Sequence, residues 1–169
     1  MRRARLTARH NVIPITASAI TPFPEDFVRD PHCHSSSVMV ARPAATAFAL
    51  MADGVEQGRW AWGSFERTEV SPGLFKGRSV FTGKDTYVRL HVDRPRFVVD
   101  YEVGSAPDTM QFRNMSRVIP GGLLKIGDEK CVVTLVTWRL ATQSDAEWEQ
   151  FCCIHEAEML LIRGLLERE

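Results

Sequence analysis

Ser144-Asp-Ala-Glu147-Trp148-Glu-Gln-Phe151-Cys152-Cys-Ile-His155-Glu-Ala-Glu158-Met159-Leu-Leu-Ile162-Arg-Gly-Leu-Leu166-Glu-Arg-Glu169 is the stretch that decides how this chain folds. Ser144 followed three residues later by Glu147 has the spacing of a capping box, so a helix is expected from Asp145 onward. At about 100° per residue, Trp148, Cys152, His155, Met159 and Leu166 fall on one stripe, with Phe151 and Ile162 beside it. About 23 residues at 1.5 Å each reach roughly 34 Å, enough to cross a sheet. One titratable side chain, His155, lies in the middle of the apolar stripe. Glu156 and Glu158 lie off its centre and read as solvated or paired with Arg163.

The rest of the chain supplies that sheet. Ser36 to Arg42 alternates as a strand. Pro43 suits the first position of a helix over Ala44 to Asp53, and Gly54 and Gly58 bracket a second short helix at Val55 to Arg59. From Trp62 to Thr142, turn signals such as Ser71-Pro72-Gly73, Gly83-Lys84-Asp85 and Asp93-Arg94-Pro95 separate six more strands, near 62–70, 74–82, 86–93, 96–103, 110–119 and 130–142. Strands grouped in sequence, with helices set apart from them, predict an α+β fold built on a seven-stranded antiparallel sheet. One face of such a sheet must be covered. Only the C-terminal helix is long enough, and a curved sheet around a single helix leaves a hollow between them.

Composition sets outer limits. With 169 residues and 44% hydrophobic content, the chain suits one globular domain. Lys+Arg and Asp+Glu are both 21, which argues against a nucleic-acid partner. No apolar run approaches the ~18 residues of a membrane span. Cys33, Cys131, Cys152 and Cys153 show no CxxC spacing and read as free thiols, which points to a reducing, cytoplasmic setting. Residues 1–34 differ from the remainder. Arg2, Arg3, Arg5 and Arg9 precede the first acid, Glu25, and several prolines break any long element, so an N-terminal arm is expected ahead of a domain over 35–169. A transit-type segment or a docking arm are the alternatives for it.

The order of elements resembles the START/Bet v 1-like superfamily, also called SRPBCC or polyketide-cyclase-like. Three stretches carry the resemblance: Ser37-Val-Met-Val-Ala-Arg-Pro-Ala-Ala-Thr-Ala-Phe48, the Trp60/Trp62 segment, and Lys130-Cys-Val-Val-Thr-Leu-Val-Thr-Trp138 leading to the last helix. It covers about residues 35–169. It implies a helix-grip fold with a hydrophobic cavity. Members of that group include carriers, aromatase/cyclases and chaperone activators, so the resemblance narrows fold more than function.

Strand alternation nominates the cavity wall. The expected wall is Phe81, Leu90, Tyr101, Phe112, Asn114, Ser116, Trp138, His155 and Met159. Trp138 is taken as inward because Arg139 favours water, Arg113 and Arg117 as solvated, and His91 as outward. Trp60 and Trp62 suit either core or cavity mouth. The expected partner is a small hydrophobic or amphipathic ligand such as a lipid, polyketide or aromatic compound, with a few polar groups orienting it. An enzyme of cyclase/dehydratase type is the alternative, with His155 and Tyr101 as candidate catalytic residues. An interaction module or homodimer is a third possibility. No cofactor is expected, because GxSxG, GxGxxG, P-loop and HExxH patterns are absent. No metal is expected either: His32-Cys33-His34 brings only two histidines to one side of an extended chain, and zinc usually takes three or four ligands. Cys152 and His155, one turn apart, leave a Cys–His pair open.

Overall fold

The computed structural model describes residues 30–168. The arginines of the N-terminal arm, and its prolines as far as Pro24, lie outside these residues. Residues from Pro31 on form one compact unit. Its elements are β1 (Cys33–Val40), α1 (Ala44–Ala52), β2 (Phe65–Ser71), β3 (Leu74–Arg78), β4 (Asp85–Asp93), β5 (Val98–Gly104), β6 (Gln111–Pro120), β7 (Cys131–Trp138) and α2 (Asp145–Arg168). The expected second short helix is a 3-10 turn, Glu56–Arg59, and another, Trp62–Ser64, leads into β2. β1 starts at Cys33, three residues before the expected strand, so His34 pairs with Thr137 of β7.

All seven strands join one antiparallel sheet in the order β1-β7-β6-β5-β4-β3-β2. Consecutive strands are neighbours except at β1, which pairs with β7 and becomes an edge beside α2. This is the helix-grip α+β arrangement. Helix α2 begins as its sequence dictates. Glu147 N–H donates to Ser144 Oγ at 3.3 Å, and Ser144 N–H donates to Glu147 Oε2 at 2.8 Å, so two terminal donors are satisfied reciprocally. Its far end is held by Arg42, whose Nε donates to the Leu166 carbonyl at 2.8 Å, and by Glu167, which accepts from Ala41 N–H at 3.0 Å.

The core lies toward the C-terminal half of α2. Met159, Ile162 and Leu166 pack with Ala47, Phe48 and Met51 of α1 and with Val40, Val99, Val118 and Val133 of the sheet. Gly77 in β3 allows close passage of the 3-10 turn before β2: a Cβ there would stand 2.5 Å from the Ser64 carbonyl oxygen. Toward the N-terminal half of α2, sheet and helix diverge and the interior opens.

One irregularity decides what faces that opening. In the β5–β6 ladder Tyr101 pairs with Asn114 and Glu102 pairs with Phe112, so Arg113 is an extra residue in a β-bulge.

Candidate functional site

The opening is a cavity of about 620 Å³ between the concave sheet and α2. Val88, Val103, Leu135, Leu140, Phe151 and Ile154 supply its apolar walls. Exposed Phe81, Thr82, Lys84 and Glu147 mark its mouth, with the Phe81 ring edge-on to Trp62 at 6.4 Å.

The floor is a closed polar network. Arg67, on β2, donates through Nε to the Ser64 carbonyl (3.1 Å) and to Ser64 Oγ (2.9 Å). Its Nη2 also reaches Ser64 Oγ (2.6 Å), and its Nη1 donates to Gln57 Oε1. Gln57 Nε2 donates to the Met51 carbonyl at 2.6 Å, and the Tyr101 hydroxyl joins the same carbonyl at 3.2 Å. Tyr101 and Ser116 share a 2.7 Å hydrogen bond. Burial pushes Arg67 down to about 10, still charged at neutral pH, and pushes the Tyr101 hydroxyl up. Each polar group on this floor has a partner inside the protein.

The wall formed by α2 and the residues facing it is different. Phe151, His155 and Glu158 follow one another at helical spacing along the cavity. His155 is buried, its ring stands 4.7 Å from Phe151, and its Nδ1 has no hydrogen-bond partner among the described residues. Burial drives its pKa down to about 4, so it is neutral at physiological pH. Glu158 is equally buried. It accepts from Trp62 N–H at 2.9 Å and lies 3.9 Å from His155 Nε2, and burial raises its pKa to about 8. Trp60 lines the same space with its buried Nε1 unpartnered. Arg113 stacks its guanidinium 4.1 Å over the Phe151 ring, also with a buried, unpartnered Nε, and burial lowers its pKa.

Of the nine expected wall residues, Phe81, Tyr101, Asn114 and His155 line the cavity. Leu90, Ser116 and Met159 are packed behind the lining, within or against the core and floor. Two expectations are corrected. Phe112 points outward, 63% exposed and 5.1 Å from the His91 ring, because the bulge at Arg113 breaks the alternation that would have placed it beside Asn114. Trp138 is also on the outer side: Cys131, Val133, Leu135 and Thr137 form the buried face of β7, which leaves Trp138 with the exposed set. Arg139 did not need that face, since it lies beyond the strand and pairs with Asp145 at 2.6 Å.

The bulge also reverses the reading of Arg113, which lies at the cavity rather than in bulk water. Glu158 is likewise inside, while Arg163 pairs with Glu167 at 3.0 Å and Glu156 approaches His34 at 3.1 Å. Gln57 and Arg67 were missed because nothing local marks them as buried. Glu158 carried a signal in its spacing, seven residues after Phe151 and three after His155. Burial raises the Cys152 thiol pKa, the wrong direction for a nucleophile. Among the described residues no group of three or more His, Cys, Asp and Glu side chains is placed to hold a metal ion, and no helix is long and apolar enough to cross a membrane.

No protein-family model matches the chain, and no curated protein matches it. Solved structures do. A START superfamily protein from Mycobacterium smegmatis superposes with a TM-score of 0.61 at 12% identity, over 81% of this chain and 98% of its own. The Zhui aromatase/cyclase from Streptomyces sp. R1128 gives a TM-score of 0.58 at 15% identity, over 80% of this chain and 93% of its own. The Aha1 dimer from Colwellia psychrerythraea gives 0.59 at 9% identity, over 80% and 96%. These likenesses establish the START/Bet v 1-like fold, and the three neighbours bear unrelated names on it.

Proposed function

We propose that this protein binds a small hydrophobic or amphipathic molecule in the cavity between the sheet and α2. The observation that carries this reading is the pairing of apolar walls with buried polar atoms that have no hydrogen-bond partner among the described residues: His155 Nδ1, Trp60 Nε1 and Arg113 Nε. A buried polar atom without a partner costs roughly 1–3 kcal/mol. Three around one cavity suit a ligand or water that completes them. The volume lies within the ~300–1,000 Å³ usual for small-molecule sites. Its START-like and cyclase-named neighbours support the same reading through fold alone. The free cysteines agree with a reducing, cytoplasmic setting.

Native mass spectrometry on freshly purified protein tests this, followed by titration of the delipidated protein with the dye 1-anilinonaphthalene-8-sulfonate. The expected result is saturable one-to-one binding that falls at least tenfold in Val103→Trp, a variant that fills the cavity while keeping the far-ultraviolet circular dichroism. No bound mass and no saturable dye binding would remove the proposal.

A second reading rests on His155 and Glu158, two neutral titratable groups 3.9 Å apart in the same cavity. One can accept a proton and the other donate one, the requirement for dehydration of a bound β-hydroxy compound. Turnover of a β-hydroxyacyl thioester to its enoyl product, followed by absorbance, tests it. Unchanged turnover in His155→Phe would rule it out. Self-association is checked by light scattering on the full chain and on a variant lacking residues 1–30, which leaves β1 whole and also tests the arm as a docking segment.

A further inference from the structure

Arg113 is the odd member among the arginines that are partly or fully buried. Arg67 is engaged through all three nitrogens, Arg89 pairs with Glu102 at 3.0 Å, Arg139 pairs with Asp145, and Arg42 caps α2. The Arg113 guanidinium has an aromatic ring on one face, and among the described residues that guanidinium makes no hydrogen bond and no ion pair. A guanidinium brought out of bulk water keeps its charge, so its missing anion is a standing cost.

The position is built rather than incidental. The bulge turns Arg113 to the cavity side of β6, where regular alternation would send it outward. The guanidinium then sits 4.1 Å over the Phe151 ring. Beyond Phe151 the His155 ring offers an unpartnered Nδ1, and Trp60 Nε1 is a second unused donor in the same cavity.

We infer that the ligand is an amphiphile carrying a single carboxylate, with Arg113 as the residue that pairs with that carboxylate and the apolar wall of Val88, Val103, Leu135 and Ile154 taking its hydrocarbon part. This rests on the proposal that the cavity binds a ligand. The planar fork of a guanidinium matches a carboxylate through two parallel hydrogen bonds. A monoanion fits better than a phosphate ester, because among the described residues the cavity interior has one guanidinium without an acceptor, Arg113: the buried Arg67 has no donor nitrogen left unengaged, and Lys84 stands at the exposed mouth. Glu158 adds no opposing charge while it is protonated.

The experiment compares cis-parinaric acid with its methyl ester by fluorescence titration at pH 7.0. The acid is expected to bind at least tenfold more tightly than the ester. Arg113→Met is expected to bring the two affinities together, leaving ester affinity within threefold of the parent, and Arg113→Lys to retain a reduced preference. Displacement of the acid by dodecanoic acid, dodecanol and dodecyl phosphate uses the unaltered protein and so stands even if the variants misfold. Dodecanoic acid should displace most effectively, and a stronger effect of dodecyl phosphate would overturn the carboxylate assignment. Equal binding of acid and ester by the parent protein would overturn this inference and leave the cavity proposal standing. No saturable binding of either would overturn both.

Discussion

The floor and the helix wall of the cavity are both polar, and they are polar in opposite ways. On the floor, Arg67, Gln57, Ser64, Tyr101 and Ser116 are bonded to one another or to backbone carbonyls. On the wall, Arg113, Trp60 and His155 each keep a buried nitrogen with no partner among the described residues. Polarity alone therefore does not mark a binding group. A closed network holds strands and turns in place, and an open one is where a ligand has something to complete. By this criterion Tyr101, a cavity-lining tyrosine, belongs to the scaffold, while Arg113 belongs to the site.

The contrast predicts stability losses on the floor and binding losses on the wall. The largest effect is expected for Gln57→Leu. It removes the acceptor of a buried guanidinium, so unfolding in denaturant should show a loss of about 3 kcal/mol or more, with binding per folded molecule unchanged. A loss under about 1 kcal/mol would mean that the floor is not a working network.

A smaller effect is set by pH. Glu158 has its pKa raised from 4.5 to about 8, so between these values the folded protein holds a proton that the unfolded chain has released, and stability falls as pH rises. His155 is lowered from 6.5 to about 4, so in that window the unfolded chain holds the extra proton, and stability rises with pH. The two slopes oppose each other from roughly pH 4.5 to 6.5. Glu158 then acts alone from roughly pH 6.5 to 8, where about 2 kcal/mol should be lost. Glu158→Gln keeps an acceptor for Trp62 N–H and should flatten this decline, as read from melting curves across pH. A decline that survives in the variant would show that Glu158 is not its source.

The smallest stability effect is expected for His155→Phe, within about 1 kcal/mol of the parent, because its Nδ1 makes no hydrogen bond among the described residues and its Nε2 lies beyond hydrogen-bond distance of Glu158. Its affinity for cis-parinaric acid should nonetheless fall threefold to tenfold. A large stability loss with intact affinity would place His155 with the floor, and the division between the two regions would fail.

The architecture was legible because its signals are periodic and local. The capping box at Ser144, the stripe through His155 and Met159, and turns such as Pro72-Gly73 depend on neighbours in sequence. So does the inward face of β5, which put Tyr101 in the interior. What escaped depends on strand pairing. An extra residue at Arg113 is visible only when β6 is laid against β5. Both faces of β7 are apolar, so alternation could not choose a side for Trp138, and the pairing of β1 with β7 does so by setting Ser37 against Thr134 on the outer face, 2.8 Å apart. Gln57 and Arg67 find each other ten residues apart across a 3-10 turn, with no periodicity to announce it.

The bulge in β6 has a genetic meaning as well as a geometric one. Because Arg113 is the surplus residue in its ladder, an in-frame deletion of its codon would restore regular pairing, with Asn114 still opposite Tyr101 and Phe112 still opposite Glu102. The inherited wall would be kept, and only the cation would go. The inferred preference for a charged ligand would thereby be held in the length of a strand, where a single insertion or deletion event would switch it without rebuilding the chamber around it.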